Sequence, residues 1–200
     1  MRLYYAPHTC SLAPHIVLRE LELPFELVRV DNRTKQTADG RDFRTINPKG
    51  YVAALELDDG DVLTEGPAIL QHLADLRPDR KLAPPCGTRE RTRLHEWLNF
   101  VTSEIHAGSA PLFQASLPAA ALAHFRERLF KRFDYLDGIL ADRAHLMGDP
   151  YCVADAYLYT VLGWRRFFAF DLQRWPGLRA YEARIAARPA VQAALAAEAQ

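Results

Sequence analysis

The chain has 200 residues, enough for one large domain or two small ones with a real buried core. Apolar residues make up 49% and charged residues 25%, and 25 basic side chains balance 25 acidic ones, which removes any electrostatic case for binding nucleic acid or an anionic membrane. Three cysteines far apart in sequence, Cys10, Cys86 and Cys152, form no CxxC pair, argue against a disulfide framework and fit a reducing compartment.

The first eighty residues alternate strand-like and helix-like patterns. Leu3-Tyr4-Tyr5 is a short β-prone run closed by Pro7, and the stretch around Leu12, Ile16, Val17 and Leu18 keeps helical spacing. Pro14 falls in the first turn of that helix, where its missing N–H costs nothing. Phe25 to Val30 reads as a second strand, completing β-α-β in a length that suits a parallel crossover. Thr34 to Thr45 is loop and short helix, and Asn47-Pro48-Lys49-Gly50 is a turn. Ala54 to Leu57 and Val62-Leu63 flank the hairpin turn Asp58-Asp59-Gly60-Asp61. A helix over Ala68 to Leu76 follows, with Ile69, Leu70, Leu73 and Leu76 on one side. The order βαβ then ββα predicts an α/β, thioredoxin-like domain over residues 1–78.

Residues 79–88, with Pro84, Pro85 and Gly87, read as a linker. Residues 89–200 then read as an all-helical domain, with helices over about 89–115, 119–142, 154–169, 176–187 and 189–198. The N-terminus carries no apolar signal region, and no apolar run approaches the ~20 residues of a membrane span. A cytoplasmic protein is expected.

Cys10 follows the first strand and stands directly before the first helix, where unpaired N–H groups and the dipole favour a thiolate. This placement predicts a lowered thiol pKa, and the competing reading is a small buried hydrophobe. Thr64-Glu65-Gly66 precedes another helix. Backbone N–H groups there suit a carboxylate and Glu65 an ammonium, the two charges of an α-amino acid, although a plain cap explains the segment equally. Asp155, three residues after Cys152, has the spacing of a capping box and a structural role. Asn99 and Ser103 share one helix face, with Glu104 and His106 on others. The histidines and cysteines form no metal-ligand pattern, and no GxSxG elbow presents a serine.

Together these segments resemble the glutathione transferases, in particular the bacterial beta class. The likeness runs through Met1 to Tyr5 and Cys10 to Ile16, then Asn47 to Val52, Leu63-Thr64-Glu65 with Ala68-Ile69-Leu70, and Val153-Ala154-Asp155-Ala156-Tyr157. It implies a glutathione-transferase fold, glutathione as co-substrate, no metal, and a homodimer. It implies that Cys10 and His106 serve the thiol, that Val52, Glu65 and Gly66 bind glutathione, and that Asn99, Ser103 and Glu104 approach the partner subunit's γ-glutamyl pocket. The acceptor would be a small hydrophobic electrophile resting on Phe113, Trp164, Phe167 and Phe168, with thiol–disulfide exchange through Cys10 as a second activity. Three positions depart from the family pattern. Ala53 replaces a cis-proline, which leaves cis and trans both open at that peptide; Gly66 replaces a serine and Ala107 a lysine. Those departures keep a non-catalytic binding protein with weakened glutathione affinity as the alternative.

Overall fold

Strand β1 (Arg2–Tyr5) is the centre of the first unit, with Leu3 and Tyr4 fully buried. It pairs parallel with β2 (Glu26–Arg29) and antiparallel with β3 (Ala54–Glu56), and β3 pairs antiparallel with β4 (Val62–Thr64), in the order β2-β1-β3-β4. The crossover between the parallel strands is α1 (Leu12–Glu20), buried continuously from Leu12 to Leu18. Each fully buried large apolar side chain contributes about 1.5–3 kcal/mol, so this helix is held by its core face. The β3–β4 turn bends at Gly60, whose φ of 89° suits a residue without Cβ. Helix α2 (Gly66–Leu76) buries Ile69, Leu70, Leu73 and Ala74. The computed structural model describes residues 1–199, and this unit has the thioredoxin-like layout expected of it.

The second unit, residues 82–187, contains the remaining helices but one. α3 (Arg89–Phe100) starts at Thr88, whose hydroxyl accepts the Arg91 N–H at 3.1 Å. One helix was expected as far as about residue 115. Instead α3 ends at Phe100, a π-helical turn runs Val101–His106, and α4 (Ala107–Ser109) leads into a 3-10 turn, Ala110–Phe113. Ala107 donates its N–H to Thr102, five residues back. The physical reason lies in the hydroxyls: Thr102, Ser103 and Ser109 donate to the carbonyls of Leu98, Asn99 and Ile105 at 2.7, 3.0 and 2.6 Å, competing with the α ladder. Pro111 then removes a donor altogether.

Helix α5 (Ala119–Leu140) is followed by α6 (Val153–Leu162), a 3-10 turn Gly163–Phe168 and α7 (Pro176–Ala186). α7 meets α5 at Gly177, where a Cβ would stand 2.8 Å from the Asp137 carbonyl oxygen. Asp155 caps α6 as its spacing predicts. It is fully buried and accepts the N–H groups of Cys152 and Leu146, each at 2.9 Å, and the Tyr181 hydroxyl at 3.1 Å. Burial pushes its carboxyl pKa up, and those two backbone donors pull against the shift.

The last helix, α8 (Pro189–Glu198), groups with the first unit, which comprises residues 1–81 and the chain from Arg188 onward. Chain order alone had assigned it to the helical domain. Arg188 grips Glu20 with two bonds of 2.6 and 3.0 Å, and Glu198 meets the fully buried His15 at 2.8 Å. Arg19 donates to the other ring nitrogen of His15 at 2.9 Å, so that nitrogen carries a lone pair and the proton faces Glu198. Among the described residues, no helix is long and apolar enough to cross a membrane.

Candidate functional site

The sheet register brings the first-unit candidates together. Tyr4 pairs with Ala54 and Ala54 with Thr64, so the chain leaving β1, the entry to β3 and the exit of β4 share one end of the sheet. Cys10, Val52-Ala53 and Glu65-Gly66 stand there. The Cys10 thiol donates to the Val52 carbonyl oxygen at 3.2 Å, and the Val52–Ala53 peptide is cis. Glu65 precedes α2 with φ 70° and ψ 112°, a backbone conformation that a non-glycine residue rarely adopts and that clusters at ligand clamps. Its carboxylate receives the Lys49 ammonium at 2.5 Å, and Lys49 also donates to the Thr64 hydroxyl at 2.8 Å. Both side chains of that ion pair are largely exposed, so it is weak and can exchange for an incoming ammonium. Gly66 opens α2, and a side chain added there would meet nothing within 4 Å.

The expected lowering of the Cys10 pKa is overturned. Burial pushes the thiol up to about 11 from an ordinary 9.0; the backbone N–H groups of Cys10 and Ala53 pull it down, and the nearby charge of Glu65 raises it further. The helix dipole loses because Cys10 lies two residues before the start of α1 at Leu12 and burial is the largest influence on its thiol. At neutral pH Cys10 is therefore a protonated S–H donor.

In the second unit, Asn99, Ser103, Glu104 and His106 all lie on α3 or the π turn. Asn99 and Ser103 are exposed and adjacent, the Ser103 hydroxyl resting on the Asn99 carbonyl. Glu104 is paired with Arg132 of α5. His106 Nδ1 lies 2.6 Å from the Tyr157 hydroxyl, and its ring meets Trp164 edge to face at 4.8 Å. Phe113 packs on Trp164, Phe167 and Phe168 with ring centres 5.6, 6.0 and 4.7 Å apart. Phe113 and Phe167 are each 50% exposed while Trp164 and Phe168 are buried, so this aromatic cluster presents an open apolar rim. Sequence spacing does not reveal Lys49, Arg132 and Tyr157 as partners of these candidate residues. Lys49 and Tyr157 fall inside recognisable segments, but nothing in the sequence links Arg132 to Glu104 across 28 positions.

Residues 9–76 match the family model described as glutathione S-transferase, N-terminal domain, and residues 100–189 match glutathione S-transferase, C-terminal domain. Over 99% of its length the chain is 44% identical to glutathione S-transferase GstA of Escherichia coli O157:H7, covering 98% of that protein. It is similar to the structure of a sphingomonad glutathione S-transferase complexed with glutathione, at 46% identity and a TM-score of 0.96, covering 100% of this chain and 99% of that one. A bacterial beta-class glutathione S-transferase of Sphingomonas chungbukensis matches at 45% identity and a TM-score of 0.95, covering 99% and 98%.

Proposed function

Given that the chain belongs to the glutathione S-transferase family and is a glutathione transferase of the bacterial beta type, we propose how its residues carry the reaction. Glutathione is the co-substrate. Val52 meets its cysteinyl peptide through the main chain. Glu65 takes the γ-glutamyl ammonium from Lys49, and the first N–H of α2, at Gly66, takes the carboxylate. Cys10, a protonated thiol at neutral pH, turns its S–H from the Val52 carbonyl to the glutathione sulfur and stabilises the thiolate. His106 is the second group serving that sulfur.

The observation that carries this reading is the convergence of Cys10, Val52 and Glu65 at one end of the sheet, with Glu65 held in a ligand-clamp conformation. The acceptor is a hydrophobic electrophile, a choice supported by the half-exposed aromatic rim beside His106. With 1-chloro-2,4-dinitrobenzene, the glutathione sulfur bonds to the ring carbon, chloride leaves, and the thiol proton goes to solvent. Thiol–disulfide exchange through Cys10 needs its thiolate, which burial confines to alkaline pH. Nothing in the likenesses favours a non-catalytic relative.

Measuring conjugate formation with glutathione and this dinitrobenzene tests the reading. Turnover is expected, and His106→Ala should lower it by about tenfold or more. Retention of apolar dyes without any glutathione-dependent product would establish the binding-protein alternative instead.

A further inference from the structure

His106 is half-buried and held by its surroundings. It is the last residue of the π turn, it meets the edge of Trp164, and its Nδ1 is 2.6 Å from the hydroxyl of Tyr157. Tyr157 is 2% exposed and sits in the second turn of α6, five residues beyond Cys152, where Asp155 anchors the helix start. A neutral imidazole has one donor and one acceptor nitrogen, and whatever engages one nitrogen decides the character of the other.

We propose that Tyr157 is a positioning residue for His106, its hydroxyl donating to Nδ1 so that the ring proton resides on Nε2. A phenol is the stronger donor and an imidazole nitrogen the stronger acceptor, so the short contact runs from oxygen to nitrogen. His106 then carries its proton on Nε2, so in the role proposed above it acts as a hydrogen-bond donor rather than as a base. This inference rests on the role of His106 proposed above and adds the group that sets its tautomer.

Tyr157→Phe keeps the ring that packs edge to face on His106 at 5.8 Å and removes only the oxygen. Nitrogen-15 NMR of the imidazoles should show the Nε2–H form in the unaltered protein and a mixture of tautomers in Tyr157→Phe. With glutathione and 1-chloro-2,4-dinitrobenzene, kcat/KM should fall about fivefold, the size of one hydrogen bond. The acid limb of its pH profile should move to higher pH, since the thiolate loses support. In a His106→Ala background, Tyr157→Phe should change nothing further, because it acts through the imidazole. An Nδ1–H tautomer in the unaltered protein overturns the proposal, as does an equal loss from Tyr157→Phe with and without His106. Normal turnover in His106→Ala would refute the role of His106 itself, and the tautomer measurement still decides what Tyr157 does to the ring.

Discussion

Alkylation of Cys10 as a function of pH probes the central correction to the sequence reading. The thiol sits at about 11 against an ordinary 9.0, because burial disfavours the charged form more than the N–H groups of Cys10 and Ala53 favour it. Two pKa units mean about a hundredfold less thiolate than an ordinary thiol at any pH well below 9. The reactive species is the thiolate, so the rate constant for iodoacetamide at Cys10 should rise about tenfold per pH unit through pH 9 and level off only near pH 11. Digestion and mass spectrometry isolate the Cys10 peptide from those of Cys86 and Cys152. Restricted access slows the absolute rate but does not move the inflection, so the shape of the curve is the test. The same shift has a stability sign. The folded state keeps the Cys10 proton where the unfolded state has lost it, so this contribution is complete below pH 9 and is lost as pH rises through about 11. A rate that levels off below pH 8 would show that the backbone donors outweigh burial, and Cys10 would return to being a nucleophile.

Two further outcomes follow from the glutathione site. Gly66→Ser restores a hydroxyl in open space at the first turn of α2, and its bond to the glutamyl carboxylate should raise glutathione affinity roughly three- to tenfold in calorimetric titration; unchanged affinity would mean the carboxylate lies elsewhere. If Asn99, Ser103 and Glu104 reach a neighbour's glutathione, the protein is a two-fold dimer, and light scattering at micromolar concentration should report twice the 22.7 kDa chain mass; a monomer would remove that role from all three.

Much of the first unit was legible because its signals are local. Pro7 closes β1, Pro14 sits harmlessly in the first turn of α1, and Gly60 marks the hairpin; each works through its own backbone. The Asp155 cap was equally readable, since its partner Cys152 is three residues away. What failed was non-local. The fate of the Cys10 thiol depends on a carbonyl 42 residues on, and helix placement alone gave the wrong sign. The π turn is a local exception: its hydroxyls bond carbonyls four residues back, which a helical pattern of apolar residues does not register. His15, on which the spacing of the apolar residues around it is silent, is fully buried and bonded to Glu198, 183 positions away.

That last pairing bears on how the molecule is made. During synthesis the ribosome releases β1 to α2 first, yet the helix that covers His15 and Glu20 emerges only after the whole helical unit. The thioredoxin-like unit is thus split around the helical one, which is an insertion in topological terms. Domains usually fold as they emerge, from the N-terminus onward. Here the helical unit has all its residues before the first unit has its own. Deleting α8 alone would leave the thioredoxin-like sheet and its candidate site residues in place, while stripping the partner from a buried histidine on the helix that follows Cys10.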